Sequence, residues 1–341
     1  MKSGANKKTK DNIDITNSLI NLPKVFPSKE IVNRAMKDLR KVERDDSVKN
    51  IRNRVKKYAS QRIDTQIKSL CIPCRDMIKG YKSTLRRLHP FEEVVVNLTL
   101  RSRQKKDGIT LDTLLDDINE GRKIVLEYGK EAISYTKNEC TASRDIILAL
   151  EEYEIKINEL FLHHLTTPLL NLVSLQRALR MSLPSIQFYT PAVVLIGAPN
   201  VGKSSIVRRL SSASPEVNNY PFTTRGMTVG HIDMNWDEDT LSYEEVDFKK
   251  LKKEDRSTFL GGLQKCQIMD TPGILVRQDH DRNEMEMLTL ATMQHLPTAV
   301  MYILDLSGGA GDKCSSIEDQ IILRKEVMLL HFFHYLLFCF Y

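Results

Sequence analysis

The 341 residues contain one tryptophan and only 7% aromatic side chains, and nowhere do they run apolar for the roughly 18 residues that a membrane-crossing helix needs. A helical membrane anchor is therefore not expected. Six cysteines (Cys71, Cys74, Cys140, Cys266, Cys314, Cys339) are scattered without a disulfide-like pattern, and the start, MKSGANKKTKDN, lacks the apolar core of a secretory signal, so free thiols are expected. The single CxxC, Cys71 to Cys74, has no second pair and no His pair within reach, which argues against zinc and for ordinary helix residues. The basic start reads as a flexible tail, a nuclear-type basic patch or the remnant of a targeting peptide.

Charge is abundant but unevenly placed. Net charge is +6, yet residues 47–106 hold sixteen Lys or Arg against four acids. Such a segment suits a polyanion, nucleic acid first and an anionic membrane second, or forms a solvated helix face.

Pro23 and Pro27 disfavour helix at the start, and residues 1–27 are expected to be a disordered basic tail. Helical periodicity follows. Ile31, Ala35, Leu39 and Val42 form one stripe, Leu111, Leu114, Leu115, Ile118, Val125 and Tyr128 a second, and Ile146, Leu150, Tyr153, Ile157, Leu160, Phe161 and Leu165 a third. They predict an all-α bundle over residues 28–183, broken at Pro73, His89–Phe91, Asp107–Gly108 and Pro168. From 184 onward the pattern changes to short apolar runs: AVVLIG (192–197), MTVGHIDMNW (227–236), LQKCQIMDTPG (263–273) and AVMYILDLSG (299–308). These predict four strands of a mostly parallel α/β sheet over 184–341, with the charged stretch 237–262 as a surface insertion. Glu284 and Glu286 read as a solvated helix face, and His280 and His295 lack metal-ligand spacing.

The first strand runs directly into GAPNVGKSS, residues 197–205, and a helix follows. Gly197, Gly202, Lys203 and Ser204 satisfy G-x-x-x-x-G-K-[ST]. Glycines let the backbone wrap an anion, the helix N-terminus adds partial positive charge, the lysine reaches terminal phosphates, and the serine hydroxyl suits magnesium. The loop Gly197, Ala198, Pro199, Asn200, Val201, Gly202, Lys203, Ser204 and Ser205 is the candidate nucleotide site. Two later segments, NNYPFTTRG (218–226) and MDTPG (269–273), stand in the order of nucleotide-sensing switches.

Together with DRNEMEMLTLATMQHLPTAVMYILDLSG (281–308), these motifs resemble the nucleolar GTP-binding protein 1 branch of the Obg-related GTPases, with plastid-acting plant and algal relatives similar too. The resemblance is strong over 184–326 and architectural before that. It implies a P-loop GTPase domain behind a helical domain, GTP/GDP as ligand, slow hydrolysis, and a role in large-subunit ribosome assembly with ribosomal RNA and assembly factors as partners. No membrane partner is expected, and the implied place is the nucleus and nucleolus, or alternatively a chloroplast or other organelle. Carried over, Lys203 binds the β- and γ-phosphates, Ser204 and Thr224 (or Thr223) ligate magnesium, Asp270 holds it through water, and Gly273 senses the γ-phosphate.

Two departures stand out. Ile274 occupies the place where other GTPases carry the glutamine that orients the attacking water, so charge stabilisation must come from elsewhere. Asn200 stands where cation-dependent relatives bind potassium. No N-K-x-D follows Gly308, and the sequence ends MLLHFFHYLLFCFY, which reads as a truncated or misread end or as a replacement strand completing the sheet. The alternative function is an inactive nucleotide module acting only as an RNA- or protein-binding scaffold. An ATP-dependent kinase is disfavoured, because it needs neither switch segment.

Overall fold

Caps and glycines set the helix boundaries. Asn50 accepts the Asn53 amide at the start of α2, Thr110 and Thr113 form a reciprocal cap on α4, and Gly108 takes φ +68° between α3 and α4. The helices are α1 (Ser28–Leu39), α2 (Ile51–Leu85), α3 (Pro90–Asp107), α4 (Leu111–Asn138) and α5 (Ser143–Met181). The computed structural model describes residues 18–182, 186–211, 214–218, 220–221, 226–237, 242–245, 263–274, 282–306 and 316–338.

The chain divides into two compact units. The helical unit comprises residues 19–87 and 100–180. Its core is the predicted stripes: Ile31, Ala35 and Leu39, then Leu111, Leu115, Ile118 and Val125, then Ile146, Leu150, Ile157, Phe161 and Leu165, all buried. Helices α2 and α4 approach closely where Gly129 faces Ile67, since a Cβ there would lie 2.1 Å from Ile67 Cδ1. Arg62 forks onto Glu154 at 2.6 and 2.9 Å, tying α2 to α5.

Three expectations for this unit need correction. Pro73 and Pro168 do not break their helices, which run through them. A proline in a helix interior costs about 3 kcal/mol, which burial of long apolar stripes offsets; on α2 the stripe continues on both sides of Pro73 as Leu70, Cys71, Cys74, Met77 and Ile78, while Pro73 itself is exposed. The tail is ordered before residue 27: Leu19, Leu22 and Val25 are buried, and the Val25 amide donates to Gln176 on α5. A single 3-10 turn, Ser18–Asn21, precedes Pro23, and the prolines leave apolar side chains free to pack. Residues 1–17 lie outside the described residues.

The second unit holds the chain from residue 181 together with residues 88–99. Helical stripes predict one boundary near 184; instead the first turns of α3 belong here, because Phe91, Val95 and Leu98 are buried with Ile186, Phe188 and the sheet. Its elements are β1 (Ala192–Gly197), α6 (Lys203–Leu210), β2 (Glu216–Asn218), β3 (Met227–Asp237), β4 (Ser242–Glu245), β5 (Leu263–Asp270), α7 (Glu284–His295), β6 (Thr298–Ile303) and α8 (Ile317–Phe338). Strand order is β2-β3-β5-β1-β6, with β4 also on β3. β1 lies parallel to β5 and β6, and β3 is antiparallel to its neighbours.

Alternation along β1 divides the packing. Ala192, Val194 and Ile196 face a core completed by α3, α7 and α8, while Leu195 packs with Val207 of α6 and Ile268 on the other side. All four predicted strands are present, together with two that the apolar pattern does not reveal. β2 has only three residues, too few to show alternation. β4 lies within the charged stretch expected to be an insertion, and charge is what an edge strand tolerates. Residues 328–338 continue α8 as helix rather than forming a strand. Among the described residues no helix is long and apolar enough to cross a membrane.

Candidate functional site

The site is built where β1 turns into α6. Gly197 has φ +155°, and a Cβ there would lie 2.4 Å from the Ile303 carbonyl oxygen of β6. Gly202, the N-cap of α6, takes φ +90°. Between them Asn200, exposed, adopts φ +64°, a left-handed conformation that asparagine tolerates better than most residues. The three twist the loop over the N-terminus of α6, where the aligned peptide dipoles of the helix leave partial positive charge. An anion fits there.

Lys203 is buried at 6% exposure, and its Nζ donates to the carbonyl oxygens of Gly197 at 3.0 Å and Ala198 at 2.6 Å. Its charge is thereby held in the mouth of its own loop. Ser204 Oγ donates to Asp270 Oδ2, joining α6 to the end of β5. Burial pushes the Asp270 carboxyl above its usual range, against the Ser204 hydrogen bond and the Lys203 charge. A hydroxyl beside a carboxylate is a hard oxygen pair, the chemistry that magnesium takes with water completing its shell. These residues fit that ion.

The segment after Asp270 is pinned to the phosphate loop. Thr271 Oγ1 donates to the Leu195 carbonyl at 2.7 Å, and the Ile274 amide donates to the Gly197 carbonyl at 3.3 Å. Gly273 lies so close to Pro199 that a Cβ would stand 2.5 Å from its backbone nitrogen. The structure thus brings together residues 197–205, Asp270 and Gly273. Thr223 and Thr224 lie outside the described residues. Sequence reasoning missed Thr271, whose signal was its place inside DTPG. Ile274 is fully buried, so its side chain is turned away from any bound nucleotide.

One acid needs correction. Glu286 is not on a solvated face: it is buried at the third position of α7, where it and Asn283 cap each other's backbone amides. Cys71 and Cys74 are buried free thiols whose pKa values rise, by burial, to about 11 and about 12, and no metal-ligating cluster occurs among the described residues. In the basic segment, Lys79, Lys82 and Arg86 are exposed, whereas Arg62 is committed to Glu154.

Comparison with known proteins agrees with this geometry. The family described as 50S ribosome-binding GTPase matches residues 192–331. Nucleolar GTP-binding protein 1 of Encephalitozoon cuniculi is 37% identical over 141 residues, which cover 41% of this chain and 21% of that protein. The protein of the same name from Candida glabrata is 27% identical over 256 residues, 74% of this chain and 33% of that protein, a span longer than the sheet region and therefore reaching into the helices. A solved structure from Plasmodium falciparum, provisionally assigned the same name, is 32% identical over 43% of this chain and 58% of its own, with a TM-score of 0.28, so that likeness is one of sequence. The chain spans between about a fifth and a third of the length of these two curated relatives. Residues 192–331 therefore match the 50S ribosome-binding GTPase family, in a chain whose sequence is similar to the nucleolar GTP-binding protein 1 proteins.

Proposed function

We propose that the chain binds GTP with magnesium, hydrolyses it to GDP and phosphate, and acts in assembly of the large ribosomal subunit in the nucleolus, with its basic helices on ribosomal RNA. The observation that carries this reading is the convergence of Lys203, Ser204, Asp270 and Gly273 on one loop, with Gly273 in contact range of Pro199. In this reading Lys203 leaves its carbonyl partners to hold the β- and γ-phosphate oxygens. Ser204 and Thr224 ligate magnesium, Asp270 orients one of its waters, and the Gly273 amide donates to the γ-phosphate. Magnesium held by these residues would supply positive charge against the phosphate oxygens.

With Ile274 buried, Asn200 is the loop residue open to a second cation, and potassium is the ion we assign to it. The burial of Ile274 also favours a second reading, a module that binds nucleotide without turning it over and serves as an RNA- or protein-binding scaffold. Phosphate release from GTP under single-turnover conditions separates the two. Release that Gly273→Ala abolishes supports the enzyme; RNA binding without release from any nucleoside triphosphate supports the scaffold. RNA affinity should also fall steeply with salt, since it rests on phosphate contacts.

A further inference from the structure

The helical unit is polarised in charge. Residues 47–87 carry twelve Lys or Arg against two acids, whereas residues 111–160, α4 and the first half of α5, carry twelve acids against six Lys or Arg. Within that acidic part three tyrosines meet across the seam between α4 and α5. Tyr153 contacts Tyr128 at 5.7 Å and Tyr135 at 5.9 Å between ring centroids, both edge-on. Tyr128 and Tyr135 lie two turns apart on α4 with Glu131 between them, and Tyr135 is 47% exposed. On α5, Glu152 and Glu159 flank the seam, and the nearby Lys156 is paired with Glu159 at 3.3 Å. Glu131, Glu152 and Glu159 are all exposed. The outer side of α5 also presents Ile155, 61% exposed. Ile155 takes no part in the bundle, whose core on this helix is Ile146, Leu150 and Ile157. Large apolar and aromatic groups exposed among acids mark a contact surface.

We propose that the α4–α5 seam docks a lysine- and arginine-rich segment of a partner protein. Ammonium and guanidinium groups meet Glu131, Glu152 and Glu159 and the half-exposed ring of Tyr135, while their hydrocarbon stems cover its apolar edge. Charge complementarity selects this occupant: the same carboxylates repel a phosphate backbone, so the seam and the basic segment suit different partners.

The test uses the full chain and two labelled probes, a short peptide of alternating lysine and leucine and a single-stranded RNA, read by fluorescence anisotropy at physiological salt. The peptide should bind, and the double variant Glu131→Lys/Glu152→Lys should weaken it about tenfold or more. Tyr135→Ala, which changes no charge, should weaken it roughly fivefold. The double variant should keep the melting temperature, because both altered side chains are exposed, whereas Tyr135→Ala also loses its edge-on contact with Tyr153 and should melt slightly lower. Unchanged peptide affinity in either variant, or a fall in RNA affinity that parallels the fall in peptide affinity in the charge-reversed variant, would overturn the proposal.

Discussion

The Ser204 hydroxyl donates a hydrogen bond to the Asp270 carboxylate, joining the first turn of the helix after the phosphate loop to the end of the neighbouring strand. The two groups reach each other directly, so a magnesium ion bound there would replace this hydrogen bond with a direct contact to the Ser204 hydroxyl and a water-mediated one to the Asp270 carboxylate. Removing either group should therefore uncouple nucleotide affinity from magnesium. Ser204→Ala is expected to bind GDP equally with magnesium and with a chelator, whereas the native chain binds more tightly with magnesium. Fluorescent GDP titrations in the two buffers check this.

Asn200 presents its side chain to solvent at the phosphate loop, and Ile274 is buried where a water-orienting residue is absent. GTP turnover should then run roughly tenfold faster in potassium than in sodium at matched ionic strength, about 1.4 kcal/mol of barrier. Asn200→Ala should remove the difference. Equal rates of phosphate release in the two salts for the native chain would end the potassium assignment.

Leu98 of α3 is far in sequence from the first strand, yet it is buried in one core with Val194 and Ile196 of β1. Leu98→Ala should cost about 2–5 kcal/mol, and the loss should fall on the nucleotide-binding unit. Denaturant unfolding followed through a bound fluorescent nucleotide reads it. A midpoint equal to that of the native chain would place Leu98 outside this core.

His89 stacks on Phe188, with ring centroids 4.6 Å apart and planes inclined by 7°, and its Nδ1 accepts the Phe91 amide at 3.2 Å. Burial holds its pKa below the ordinary 6.5. The unfolded chain therefore takes up the proton first as pH falls, so this contribution to stability is complete above the unfolded pKa and is lost as pH drops through the folded one. Glu92, which accepts the His89 amide, and Tyr189, edge-on to the ring, are the other titratable groups that contact it. His89→Asn keeps an acceptor near Nδ1 but cannot titrate, so its unfolding midpoint should change less between neutral and mildly acidic pH than the native one. Parallel slopes would assign the pH dependence to other groups.

The phosphate loop was legible in the sequence because its chemistry needs particular residues at fixed spacing: two glycines for backbone shape, then Lys203 and Ser204. The helical stripes were legible for a similar reason, since Ile118, Val125, Ile157 and Phe161 recur at the helical period and are buried. What escaped detection depends on distant partners. Pro73 and Pro168 carry the local signal of a break, and only the packing of the stripes on either side overrides it. Glu286 looks like a surface acid until Asn283 is placed beside it. Phe91, Val95 and Leu98 show a helical period, but nothing local reveals that the sheet, rather than the bundle, receives them.

The most direct test of the account is guanine-nucleotide binding by Lys203→Ala, measured by isothermal titration against the native chain. Loss of the ammonium group that sits in the loop mouth should weaken GTP roughly a hundredfold, about 2.7 kcal/mol, with the fold retained by circular dichroism. Affinity equal to that of the native chain would contradict the assignment of this loop as the phosphate site.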